Sequence, residues 1–165
     1  MLLELICGSV FLYCVIVIAR DDLAFRIVPD RFLLIMFATG VLHGFLLAGL
    51  RGESFLDTVS WLAWRSAVPG LCVLSAATLY RLLQRREGLG LGDVKLISAA
   101  GIWLPVVASF YAIAAASIAA LVFTAAISLW RAGTVAMAHS LPFAVFLAPA
   151  FWLFWLLDRM QLLPL

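Results

Sequence analysis

The chain has 165 residues, 66% of them apolar and only 12% charged, with a mean hydropathy of +1.15. A soluble domain carries about 25% charged residues, and so few charges cannot coat an 18.0 kDa surface, so an ordinary water-soluble fold is excluded and the lipid bilayer is the expected solvent and partner. A net charge of +2 without a long basic run also excludes phosphate-backbone recognition, so no nucleic-acid partner is expected.

A helix rises about 1.5 Å per residue and the hydrocarbon core is about 30 Å thick, so a crossing takes roughly 20 apolar residues. Leu2–Ala19 is apolar apart from Glu4, Phe32–Leu50 has no charged residue, and Thr58–Tyr80 contains only Arg65. These are expected as spans one to three. Leu96–Trp130 is uncharged over 35 positions, which as one helix would be about 52 Å long. Pro105 divides it, because proline lacks the amide that a continuing helix uses. Span four is then only about a dozen residues, too short to bridge the bilayer, and is expected to be recessed or packed inside protein, with Asp93 at its start. Span five runs to Trp130, and Leu141–Leu157 supplies span six between His139 and Asp158-Arg159. The expected fold class is an all-α, polytopic bundle of six transmembrane helices forming a single domain over residues 1–165.

Arg20, Arg26, Arg31, Arg81, Arg85, Arg86, Lys95 and Arg131 fall on one side of this layout, against Arg51 and Arg159 on the other. Basic residues favour the cytoplasmic side, so both termini are expected outside. The N-terminus has neither a basic n-region nor a small-residue cleavage site, so span one is expected to be retained. The six tryptophans, at 61, 64, 103, 130, 152 and 155, mostly fall near span ends and are expected as interfacial anchors. Ala112, Ala114, Ala115, Ala116, Ala119 and Ala120 give span five a small-residue surface for close helix packing. Arg65, inside span three, needs to snorkel or find a carboxylate, with Glu4, Glu53 and Asp57 as outer-side partners. Pro69-Gly70 is expected to kink that helix and make room for substrate. Cys7, Cys14 and Cys72 lie isolated in apolar sequence and His43 and His139 stand alone, so packing roles are expected, and neither a disulfide framework nor a metal or organic cofactor.

Two acidic sites open or close spans on the same side. The first is the segment from Arg20 through Asp21, Asp22, Arg26 and Pro29 to Asp30; the second runs from Glu87 through Gly88, Gly90, Gly92 and Asp93 to Lys95. Carboxylates far apart in sequence but at one membrane depth can meet across a bundle. A pair can activate water, one acting as base while its protonated partner polarises the scissile carbonyl, because two like charges a few ångströms apart do not both ionise cheaply. Gly88, Gly90 and Gly92 allow strained dihedrals and close approach of an extended substrate. Asp93 enters span four at its N-terminus, where the helix dipole favours the ionised form.

Gly90-Leu91-Gly92-Asp93, followed by Val94-Lys95-Leu96, resembles the Gly-x-Gly-Asp signature of the type IV prepilin peptidases, membrane aspartic proteases whose second catalytic aspartate ends that motif. Glu87-Gly88 before it and Ala99-Ala100-Gly101-Ile102-Trp103 after it are similar to that family's wording. The family's first catalytic aspartate precedes a Pro-Asn or Pro-Asp pair whose proline stands seven positions on; Asp22 and Pro29-Asp30 match, while Asp21 is one residue out of register. Leu141-Pro142-Phe143-Ala144 resembles a Pro-Phe motif before the last span, with Val145 where a second proline is often expected, and Pro142 and Phe143 are candidate substrate-groove residues.

The resemblance implies a multi-pass inner-membrane endopeptidase that removes the leader of prepilins or pseudopilins at the cytoplasmic face, with Asp22 and Asp93 catalytic and no cofactor. The chain has no Cys-x-x-Cys and its first span begins almost at once, so it resembles the short, peptidase-only members associated with Flp or tight-adherence pili, without an N-terminal zinc or methyltransferase domain. Oligomeric state is not implied. Lys95 is open to three roles: tuning Asp93, binding the substrate backbone, or simple orientation. The stretch Arg81–Gly92 is expected to close over the leader. Two rivals stand beside this reading, a noncatalytic membrane scaffold for pilus assembly and a small proton-coupled carrier, although no inverted repeat and no central acidic residue within a span supports the carrier.

Overall fold

The computed structural model describes residues 2–85, 89–130 and 142–161. Among these residues six helices follow in chain order: α1 (Leu2–Phe25), α2 (Asp30–Arg51), α3 (Phe55–Gln84), α4 (Leu91–Gly101), α5 (Val106–Trp130) and α6 (Ala144–Arg159). The all-α expectation holds. Four of them, α1, α2, α3 and α5, are long and apolar enough to cross a membrane. The other two have 11 and 16 residues, lengths of about 16 and 24 Å.

The helices overrun the hydropathy boundaries. α1 continues six residues past Ala19, through both Asp21 and Asp22, and ends where Arg26 turns left-handed (φ 56) and its amide bonds the Asp22 carbonyl at 2.9 Å. α3 likewise runs to Gln84, so the expected closing loop starts only at Arg85, and its residues 86–88 lie outside those described. Charge marks where lipid ends, whereas a helix ends where its amides find another partner.

The short α4 is the centre of the bundle, touching α2, α3, α5 and α6, with Leu96, Ile97 and Ala100 fully buried. Two close approaches seat it on α3. A Cβ at Gly70 would collide with the Ser98 hydroxyl, and one at Gly101 would stand 2.8 Å from the Arg65 carbonyl oxygen. Ser66 Oγ donates to the Ser98 carbonyl at 2.8 Å. The room expected beside Pro69-Gly70 is therefore filled by α4 rather than left for substrate. Along α5 the buried stripe is Ala108, Ala112, Ala116 and Ala120; Ala114 and Ala119 face outward.

Trp103 and Trp155 correct the expectation of interfacial anchors. Trp103 is 2% exposed; it stacks on Phe11 (4.7 Å between centroids) and His43 (5.4 Å), meets Trp155 edge-on at 6.0 Å, and donates Nε1–H to the Met36 carbonyl at 3.0 Å. Because α4 ends inside the bundle, the indole just past its end meets other helices instead of headgroups. Trp61, Trp64 and Trp130 are exposed, as anchors should be. His43 packs as expected, and His139 lies outside the described residues. Arg65 rests 3.5 Å above the Trp61 ring instead of on the carboxylates expected for it. Glu4 is taken by Arg159 at 3.1 Å and Glu53 stands 3.7 Å from Arg51.

Candidate active site

On α1 the buried residues Cys7, Phe11, Cys14 and Ile18 recur at helical spacing, and the next position of that stripe is Asp22, which is 6% exposed. Asp21 falls off the stripe and is only half-buried. Burial opposes ionisation of the Asp22 carboxyl, while the nearby backbone amides of Val145 and Ala144 at the start of α6 and the charge of Arg26 favour it. Its Oδ2 is buried without a hydrogen-bond partner among the described residues.

Asp93 sits in the first turn of α4. Gly90 is the N-cap, in extended conformation (φ −69, ψ 143), and its carbonyl accepts the amides of Asp93 and Val94 at 3.1 and 3.4 Å. The Asp93 carboxylate lies back beside the Gly90 amide. Burial first, and then the nearby charge of Asp22, push Asp93 up from 3.8 to about 6, with the Gly90 hydrogen bond opposing them. The bundle thus brings a carboxyl from the end of α1 into electrostatic contact with one at the start of α4.

Neither Gly90 nor Gly92 has a positive φ. Gly90 has an ordinary φ, and among the described residues only Gly52 is a glycine with positive φ. A Cβ at Gly92 would lie 3.2 Å from Val28, so its absence lets α4 close on the α1–α2 connection. Gly88 lies outside the described residues. Pro29 is the N-cap of α2 and its carbonyl accepts the Phe32 and Leu33 amides at 3.1 and 3.4 Å. Asp30 pairs with Lys95 at 2.8 Å, tying α2 to α4 beside the two carboxyls. Lys95 is thereby a strut, and neither Asp93 nor Asp22 takes its shift from it.

Pro142 and Phe143 lead into α6, and Phe143 packs against the core. Two grooves flank α2. One of about 560 Å³ runs between α2 and α4, lined by Leu34, Phe37, Val94 and Ser98 with the Asp30–Lys95 pair at one end. The second, about 390 Å³, shares Phe37 and continues past Phe45 against Leu62 and Ile102. Neither includes Pro142 or Phe143. Among the described residues no group of three or more His, Cys, Asp or Glu side chains is placed to hold a metal ion. Sequence reasoning missed the Ala144 and Val145 amides, which carry no side-chain signature; the signal available was an uncapped helix start after Pro142-Phe143.

No curated protein and no solved structure matches the chain. A family model described as the type IV leader peptidase family matches residues 9–125, which takes in Asp22, α4 and the glycine motif and stops before α6. Over that span, more than half its length, the chain belongs to the type IV leader peptidase family, which makes it an aspartic endopeptidase of the inner membrane that cleaves prepilin-type substrates.

Proposed function

We propose that Asp22 and Asp93 are the catalytic pair of this peptidase, that they work at the cytoplasmic face, and that the substrate is a prepilin or pseudopilin of the Flp type. The observation that carries the reading is the coupling of two carboxyls from distant parts of the chain, one with a buried oxygen that no described group satisfies. A pair that shares one proton can take a proton from water at one carboxylate while the other protonates the carbonyl oxygen, giving a tetrahedral diol. Collapse returns a diol proton to the second carboxyl, and the first delivers its proton to the leaving amine, so the pair ends as it began.

The substrate's apolar helix would lie in the groove along α2, floored by Val94, Ser98 and Ile102 of α4. That placement sets the junction between apolar segment and leader beside the first turn of α4. Arg20, Arg26, Arg31 and Arg81 cluster at this end of their helices, while Glu4 and Arg159 are joined at the other, which favours a cytoplasmic active site and outward termini. With α4 and α6 completing the crossing inside the bundle, six segments form one peptidase domain.

Cleavage of a co-expressed Flp-type prepilin in membranes tests the proposal. Asp22→Asn and Asp93→Asn are each expected to leave the precursor uncut at wild-type abundance. Normal processing by either variant would remove that residue from the mechanism.

A further inference from the structure

Apart from the grooves along α2, a further cleft of about 510 Å³ lies between α3, the beginning of α5 and the segment that leads into α4. It is lined from Cys72 to Tyr80 on α3, by Phe110 on α5, and by Leu89 just before the Gly90 N-cap. The shortness of α4 opens it. The chain turns back at Pro105, so α5 enters beside the middle of α3, and the small side chains of Ala76 and Ala77 leave a gap between the two helices.

The cleft has the length of a lipid chain and a basic mouth. From Cys72 to Tyr80 it runs about 12 Å along α3, against about 15 Å for one leaflet of the hydrocarbon core. Beyond Tyr80, Arg81 extends the row of Val73 and Ala77 by one more turn, and Arg85 closes the helix as its left-handed C-cap. Arg51, Lys95 and Arg159 each face a carboxylate. Arg81 and Arg85 are exposed, and neither makes an ion pair among the described residues.

We propose that this cleft binds one anionic glycerophospholipid from the leaflet at the Arg81 end of α3, with an acyl chain lying along Ala77 and Val73 as far as Phe110 and the phosphate held at the mouth by Arg81, Arg85 and the Tyr80 hydroxyl. Lipid tails are as apolar as leucine, so the apolar walls accept any chain and do not choose among lipids. The choice comes from the headgroup, which two arginines without carboxylate partners favour when it carries a negative charge. The site stands apart from Asp22 and Asp93 and does not depend on their assignment.

The test uses the wild-type protein in phosphatidylcholine vesicles with a phosphatidylglycerol analogue that carries a diazirine at the end of one chain. Irradiation should label α3 near Cys72 and α5 near Phe110 in preference to Ile118 and Leu121, which are exposed farther along α5. Unlabelled phosphatidylglycerol should compete at least fivefold better than phosphatidylcholine of the same chain length. Arg81→Gln, at an exposed position, should lower that preference roughly fivefold. Ala76→Trp fills the cleft and leaves both arginines in place, so it should abolish labelling near Phe110; if that variant does not accumulate, Arg81→Gln decides. Equal competition by the two lipids, an unchanged preference in Arg81→Gln, or labelling spread evenly along α5 overturns the proposal. Displacement of the probe by a prepilin but not by phosphatidylglycerol would give the cleft to the substrate and overturns it as well.

Discussion

Replacing Asp93 by asparagine should make the protein more stable as it makes it inactive. Burial and the charge of Asp22 raise Asp93 from 3.8 to about 6. The native state therefore binds its proton more tightly than the unfolded chain does, and stability falls as pH rises through that interval. Below about pH 4 both states are protonated and the carboxyl makes no difference; above about pH 6 the whole penalty is present. At about 1.4 kcal/mol for each pH unit, the ceiling is about 3 kcal/mol, reduced because solvent screens a half-buried carboxyl.

Asparagine has no charge to desolvate and its amide oxygen can still accept the Gly90 N–H. Asp93→Asn should thus gain between about 1 and 3 kcal/mol at pH 8 and almost nothing at pH 4. Reversible unfolding in mixed micelles, followed by circular dichroism at both pH values, measures it. The gain should shrink in an Asp22→Asn background, since part of the penalty is the charge of Asp22. A gain independent of pH, or one unchanged by Asp22→Asn, would refute the coupling between the two carboxyls.

Other outcomes follow from the same geometry. Cleavage that needs a protonated Asp93 should show a basic limb in kcat/KM with a midpoint near 6 for the free enzyme, falling about tenfold per pH unit above it; a flat profile to pH 8 contradicts that role. Gly92→Val places carbon against Val28, where a Cβ already stands at 3.2 Å, and should cost about 1–3 kcal/mol of stability along with most activity; Val28→Ala should restore part of both in the double variant, and an equal loss in that variant refutes the contact. Lys95→Met breaks an exposed pair with Asp30 worth about 0–1 kcal/mol, so cleavage rates within about threefold of wild type are expected; a large shift of the pH profile would return Lys95 to the tuning of Asp93. A photoreactive residue at Leu34 or Phe37, in the groove beside α4, should capture the apolar segment of a prepilin, whereas capture only from α5 would place the substrate elsewhere.

Much of this architecture could be read from the residues, for definite reasons. Hydropathy located every helix, because a bilayer imposes a length and a polarity that few other sequences share. It misjudged the helix ends at Phe25 and Gln84, since charge ends a span without ending a helix. Pro105 marked the division of the long uncharged run, and the shortness of α4 foretold that it would be buried among its neighbours. The fate of Trp103 was hidden: an indole at a span end looks like an anchor until one knows that the span stops inside protein. Asp93 was legible at the N-terminus of the fourth helix, after the glycine-rich stretch. Asp22 was separable from Asp21 by the proline spacing, and the stripe Cys7, Phe11, Cys14, Ile18 points to the same residue. The amides of α6 were not legible, because every residue but proline carries one and only the fold selects which are left unpaired. Pro142 and Phe143, expected in a substrate groove, lead into that helix start.

The most direct test of the central claim compares three asparagine variants in one prepilin cleavage assay, Asp21→Asn, Asp22→Asn and Asp93→Asn, each at equal membrane abundance. The buried position of Asp22 on the α1 stripe and its coupling to Asp93 predict that Asp21→Asn processes the leader and that the other two leave it intact. Processing by Asp22→Asn with loss in Asp21→Asn would contradict the assignment and move the catalytic register to the neighbouring residue.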